Sequence, residues 1–222
     1  PYTADDLVRI ITLLRDPVNG CPWDKVQTHT SIRMNFLEEA YEAVDALDLD
    51  DPVLMCEELG DVLMQVAFHT CMEQETGRFT WEQVCDGVCQ KLIERHPNIF
   101  GTQPGYEGIT DWDALKNKEK GRRTLADDLE SVPRAMPALM RAAKLQKRAA
   151  RHGAALQGAD AAALADAAEN LQTAQPASAQ AEQAVGELLF AAANLARQAG
   201  VDPEQALQKA NEAFCTATGP VA

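Results

Sequence analysis

The segment from Pro52 to Glu75 constrains this chain most: it reads as one long helix that is apolar all round, yet it carries a cluster of acids. In helical projection Glu57, Glu58, Asp61 and Gln65 share one side with Leu54, Met64, Phe68 and Met72. The opposite side carries Leu59, Val62, Leu63, Val66 and Ala67. A helix of this kind is expected to be buried. Its carboxylates then lie at or near an interface, where an ionised acid without a partner is costly.

A second acidic cluster, Glu38, Glu39 and Glu42, lies on the preceding helix. That helix is expected to begin at Thr30 or Ser31, either of which can cap it, and to end near Leu47. Its apolar side is Ile32, Phe36, Leu37, Ala40, Val44 and Leu47, opposite Glu38, Glu42 and Asp45. Taken alone, it is equally a helix with a solvated acidic face. The turn at Asp48–Pro52 changes this balance, because a short connection favours antiparallel packing. The acid pairs Glu39/Glu42 and Glu58/Asp61, each one helical turn apart, would then converge. No Lys or Arg occurs between Arg33 and Arg78. Carboxylates crowded in this way repel and call for a cation. All-oxygen ligation suits Mg²⁺, with Mn²⁺ as a substitute, rather than zinc. Such a site points to phosphate chemistry.

The rest of the chain reads as helix too, since Val, Ile and Thr form no alternating runs. Helices are expected at 3–15, from Thr80 to just before Pro97, at 111–120, 137–152, 182–199 and 203–214. Residues 98–108 read as loop, and 121–137 as a linker. Residues 153–184 are Ala- and Gln-rich and weakly patterned, so 170–183 is expected to be a long loop or disordered.

The chain is 46% hydrophobic and 24% charged, enough for a packed core. Its net charge of −14 is uneven: residues 1–120 hold 23 acids and 10 bases, residues 121–222 hold 11 and 10. That balance argues against binding nucleic-acid polymers, which takes Lys and Arg. No apolar run is long enough for a membrane span, and no signal-peptide pattern opens the sequence. The six cysteines include no CxxC pair. Cys85 and Cys89, one helical turn apart, are a weak zinc pattern; buried reduced thiols in a cytoplasmic protein are the expected reading.

Groups that can serve a phosphate substrate are sparse. Lys91 and Arg95, at i and i+4, form either a solvated basic face or a clamp for phosphate oxygens. Trp23, in a turn-rich loop, can stack a nucleobase or simply anchor the loop. Gln27, Ser31 and Asn35 precede the first acid cluster and can face the site. His69 is expected to be an ordinary core or surface histidine.

Glu38-Glu39-Ala40-Tyr41-Glu42 followed by Glu57-Glu58-Leu59-Gly60-Asp61 resembles the EExxE…EExxD signature of MazG nucleoside triphosphate pyrophosphohydrolases. Gly20-Cys21-Pro22-Trp23-Asp24, Gln27-Thr28-His29 and the run from Lys91 to Pro97 add to the resemblance. So do Val132 to Leu139 and Ala143 to Arg148, which are similar to the connector of two-copy members. The resemblance implies an all-α, helix-bundle repeat protein that is dimeric. It would hydrolyse nucleoside or deoxynucleoside triphosphates to monophosphate and pyrophosphate with Mg²⁺. Carried over by position, Glu39, Glu42, Glu58 and Asp61 would be metal ligands, and Glu38 would orient or deprotonate the attacking water. Lys91, Arg95, Trp23, Asn35 and Glu57 would contact substrate.

Three segments follow from the resemblance: a catalytic domain at 1–120, a connector at 121–137, and a shortened, degenerate second copy at 138–222. Glu182 to Glu187 aligns with Cys56 to Asp61, so Gln183 and Ala184 replace the two glutamates and Glu187 the aspartate. Ala213 and Ala217 stand where Lys91 and Arg95 stand. Activity is therefore expected in the first copy, although two-copy members exist in which the second is catalytic. Two other functions fit the residues: a nucleotide-binding or assembly module without turnover, and a specialised, dUTPase-like pyrophosphohydrolase.

Overall fold

The computed structural model of the chain describes residues 1–97, 99–101, 120–121 and 124–219. The described residues are helical and contain no strand. The expected helix at 111–120 and most of the expected loop at 98–108 lie outside them. The chain divides into two compact units, Pro1–Ile109 and Thr110–Ala222.

In the first unit, α1 (Ala4–Leu14), α2 (His29–Asp48), α3 (Pro52–Glu75) and α4 (Trp81–Arg95) follow one another. Each start is built by a side-chain cap. Thr3 and Asp6 form a capping box on α1, Thr28 and Ser31 on α2, and Thr80 and Gln83 on α4. Asp51 caps α3 through the amides of Val53 and Leu54, with Pro52 in the first turn, where its missing N–H costs nothing. The cap of α2 corrects the expectation from sequence. The helix begins at His29, and Ser31 is the reciprocal partner in the box rather than the cap.

α1, α2 and α4 all pack on α3. The core holds Val8 and Ile11 of α1, Ile32 of α2, Ala67, Phe68, Cys71 and Met72 of α3, and Trp81 of α4. Arg15, buried at the end of α1, organises the loop before α2. It donates to the carbonyls of Asp24 and Gln27 (2.8 and 3.1 Å) and pairs with Glu75 of α3 (2.6 and 2.8 Å). Its guanidinium also lies over the Phe68 ring. Gly20 closes this loop because a Cβ there would lie 2.4 Å from the carbonyl oxygens of Leu14 and Asp16.

Burial of α3 is only partly as expected. From Gln65 to Glu73 it is largely buried, but Val53, Leu59 and Leu63 are exposed. Among the described residues of the unit, helices cover its C-terminal half and leave that apolar side of its N-terminal half open.

The second unit contains α5 (Leu125–Glu130), α6 (Ala138–Arg151), α7 (Ala161–Thr173), α8 (Ala179–Gln198) and α9 (Pro203–Thr218). One expectation fails here, and the segment read as a linker, 121–137, carries a short helix, α5, started by a Thr124–Asp127 capping box. The expected loop at 170–183 is the end of α7, a short turn, and the start of α8, which Ser178 caps. The core of this unit is built of small residues, Ala149, Ala159, Ala167, Ala184, Ala191 and Ala193, together with Val132. Buried amides lock it: Gln146 donates to the Phe190 carbonyl (2.7 Å) and Asn194 to the Ala159 carbonyl (2.6 Å). Asp128, fully buried, meets Arg148, Arg151 and His152 of α6 and its C-cap.

Candidate metal and active site

The three-residue turn after α2 returns the chain antiparallel along it. His29 meets Glu73, Phe36 meets His69, and Glu39 meets Gln65, so rising numbers on α2 meet falling numbers on α3. This register brings the acid clusters together. Carboxylate oxygens of Glu39, Glu58 and Asp61 all lie within 4.8 Å of one another, with the three residues half-buried. Gln65 reaches the Glu39 carboxylate from one turn below Asp61, at 3.5 Å. Among the described residues no Lys or Arg pairs with any of the three.

Glu42 is exposed and lies outside this mutually close trio, but it is near enough to act on it. Loss of solvent, then repulsion from Asp61 and Glu42, raises the Glu39 pKa above the ordinary glutamate value. Loss of solvent, then repulsion from Glu42, Asp61 and Glu57, does the same to Glu58. Uncompensated acids of this kind are a candidate site for a hard divalent cation, because every donor is a carboxylate oxygen.

The linkage gives a sign that can be tested. A carboxyl with a raised pKa binds its proton more tightly in the folded state than in the unfolded chain. Its contribution to stability is therefore lost as pH rises from about 4.5 through the raised values of Glu39 and Glu58. Melting temperatures in EDTA are expected to show a decline over this range that is smaller in Glu39→Gln.

The other residues singled out from sequence are distributed as follows. Glu38 and Glu57 are exposed beside the trio in sequence, and Asn35 is half-buried one turn before Glu39 on α2. Trp23 is 56% exposed in the loop held by Arg15, so its ring does not serve as a core anchor. Lys91 is exposed and Arg95 half-buried on the last two turns of α4. Gln27 accepts from Ser31 (2.7 Å) and donates to the Trp23 carbonyl (2.9 Å), so both polar side chains are spent on the start of α2. His69 is not an isolated histidine, since its Nδ1 lies 2.7 Å from that of His29. The i, i+4 spacing of Asp61, Gln65, His69 and Glu73 was the one available sign that these groups share a stripe of α3.

This paired-carboxylate arrangement coincides with a matched domain. The MazG nucleotide pyrophosphohydrolase domain matches residues 27–100, which enclose both acid clusters and the basic pair. The chain is 41% identical over 219 residues to the nucleoside triphosphate pyrophosphohydrolase of Escherichia coli, covering 95% of this chain and 83% of that one. The chain belongs to the MazG family. It is also 39% identical over 212 residues to the nucleoside triphosphate pyrophosphohydrolase/pyrophosphatase MazG of Thermotoga maritima, covering 95% and 82% of the two chains. A nucleoside triphosphate pyrophosphohydrolase of Mycobacterium tuberculosis is 34% identical over 154 residues, 68% of this chain and 46% of that one. The carboxylate trio thus lies inside the part that carries the MazG match. No helix among the described residues is long and apolar enough to cross a membrane.

Proposed function

We propose that this MazG protein is a metal-dependent nucleoside triphosphate pyrophosphohydrolase whose first unit releases pyrophosphate and a nucleoside monophosphate. The observation that carries the reading is the convergence of Glu39, Glu58 and Asp61 with no basic partner among the described residues. Family membership and the names of the relatives support the reaction class.

In this reading Glu39, Glu58 and Asp61, with Glu42 beside them, hold Mg²⁺, or Mn²⁺ as a substitute. When bound, the ion supplies charge neutralisation for phosphate oxygens and lowers the pKa of water. Gln65 fixes the Glu39 carboxylate. Glu38, exposed next to the cluster, orients or takes the proton of the attacking water. Lys91 and Arg95 hold phosphate oxygens, Trp23 offers an open aromatic face to the base, and Asn35 and Glu57 contact the rest of the substrate. Both nucleoside and deoxynucleoside triphosphates are within this class.

The 1–120 segment is then the catalytic domain, 121–137 a connector, and 138–222 a degenerate second copy. Two features support the last assignment. Ala184, at the position of Glu58, is buried in α8, and Glu187, at the position of Asp61, accepts from Gln183 at 2.8 Å. The one remaining acid is thus bonded within its own helix. A homodimer belongs to the same reading, and the open apolar residues Leu59 and Leu63 of α3 and Val44 and Leu47 of α2 favour it. The expected site of action is the cytoplasm.

The test is a product assay with each NTP and dNTP in the presence of Mg²⁺. Pyrophosphate and monophosphate in equal amounts are expected, whereas orthophosphate as the primary product would refute the assignment. Nucleotide binding without product over long incubation would instead identify a binding module.

A further inference from the structure

The α2–α3 seam that carries the acid trio continues past Gln65 to a second polar group, Glu73, His29 and His69. His29 Nδ1 lies 2.7 Å from His69 Nδ1, and the two ring planes are only 6° from parallel with centroids 5.0 Å apart. Parallel planes can be separated by no more than that nitrogen–nitrogen distance. Face-to-face carbon contacts need about 3.5 Å, so the rings lie side by side, nearly in one plane. This is the geometry of an in-plane N–H···N hydrogen bond. On the other side, His29 Nε2 is 2.5 Å from Oε1 of Glu73. Glu73 is 7% exposed and is held a second time by Arg78.

The protons can be counted. The Glu73 carboxylate lies against His29 Nε2 without hydrogen-bond alignment, and its charge favours a proton on that nitrogen, which makes Nδ1 of neutral His29 the acceptor for Nδ1–H of His69. One further proton on the pair leaves the Nδ1–H···Nδ1 bond intact. A second further proton places two N–H groups against each other and breaks it. Burial, then the charge of His29, lowers the His69 pKa, so the second proton is resisted. The charged groups meeting the pair are Glu73 of α3 and Arg78 after it, and Phe36 of α2 covers the His69 ring. The other neighbours of α3 direct their polar groups elsewhere: Arg15 to Glu75, Thr12 to Cys71, and the Trp81 amide to Gln74.

We propose that Glu73, His29 and His69 form a proton-sharing clasp that fixes the spacing of α2 and α3 and thereby positions Glu39 and Gln65 against Asp61. They are positioning residues, and their effect on turnover rests on the functional reading above. The physical link is short: Asp61, Gln65, His69 and Glu73 are successive members of one i, i+4 row, and Phe36 and Glu39 are neighbours on the facing helix. A change of spacing at His29–His69 is carried to the Gln65–Glu39 contact because both lie on the same two rigid helices.

The test uses the full chain labelled with ¹⁵N and ¹³C. At neutral pH, scalar coupling across the hydrogen bond between Nδ1 of His29 and Nδ1 of His69 is expected, and it should vanish in acid when the second proton adds. Absence of coupling with both rings observed at neutral pH overturns the clasp. In His69→Phe the carboxyl ¹³C shifts of Glu39 and Asp61 should move at fixed pH. There kcat should fall roughly 10- to 100-fold, the range for groups that orient metal ligands, with KM within about twofold. In His69→Gln, which cannot take a proton, the acidic limb of the kcat–pH profile should move to lower pH. If His69→Phe does not fold, His29→Gln is read in the same way. Coupling present but unmoved carboxyl shifts and kcat in the folded variant would reduce the pair to packing and overturn the positioning role. If the wild type releases no pyrophosphate yet the coupling and the shift changes are seen, the clasp stands and the enzymatic reading falls.

Discussion

Glu58→Gln is expected to lower Mg²⁺-supported pyrophosphate release at least about 100-fold, since a residue in direct contact with the metal should matter no less than the outer groups that orient such ligands. The substitution keeps the shape of the side chain and removes only its charge. Its oxygen sits within 4.8 Å of those of Glu39 and Asp61, so the loss falls directly on the donor set. The same change is expected to raise the melting temperature in EDTA near neutral pH. Loss of solvent, then repulsion from Glu42, Asp61 and Glu57, pushes the Glu58 pKa up, and removing one member of a mutually repelling group relieves the others. Opposite signs in activity and metal-free stability are the signature of a site kept for function at a cost to the fold. Pyrophosphate release and thermal melts with and without Mg²⁺ measure the two effects. Full activity in Glu58→Gln, or a lower melting temperature in EDTA, would place the role of Glu58 elsewhere.

Asp128→Ala is expected to be the most destabilising single change in the second unit, by about 3–5 kcal/mol, the range for breaking a buried ion pair by removing one partner. Asp128 is 1% exposed and Arg148 5%. The Asp128 carboxylate is ion-paired with Arg148 at 2.9 Å, and its other oxygen meets Arg151 at 3.0 Å and His152 at 3.1 Å. Arg148 also donates to the backbone carbonyl of Asp128 and to Ser131. These contacts tie α5 to α6. Removing the carboxylate takes from the buried Arg148 guanidinium the ion pair it makes with Asp128. Asp128→Asn keeps one acceptor oxygen and should cost less. Urea denaturation followed by helical circular dichroism gives the comparison. An unchanged midpoint in Asp128→Ala would show that Arg148 reaches water without unfolding.

The two units were unequally legible. In the first, large apolar residues recur at helical spacing and Thr, Asp and Pro mark the starts, so α1, α3 and α4 fall within a residue of their expected bounds. The start of α2 was displaced because three hydroxyl residues, Thr28, Thr30 and Ser31, compete for the cap. The selection of Thr28 goes with Ser31 as its reciprocal partner. In the second unit, burial falls on alanines such as Ala167, Ala184 and Ala191. Alanine occurs on every face of α7 and α8, so it carries no periodic signal, and the Pro176–Ala177 turn between them looked like the middle of a loop. α5 is six residues long, too short for a hydrophobic period to be recognised.

The sequence by itself determined the composition of the acid site: five glutamates and an aspartate on two adjoining helices, and a span without Lys or Arg. Those are properties of residue identity and spacing along a helix. Only the tertiary structure decided which carboxylates approach one another, because that depends on the register of α2 against α3. It selected Glu39, Glu58 and Asp61 and left Glu42 exposed beside them. It also decided that His29 and His69, 40 residues apart in sequence, share one hydrogen bond. No local pattern encodes such a pair: antiparallel packing brings residues together across two helices, and that pairing is fixed by the core packed beneath them.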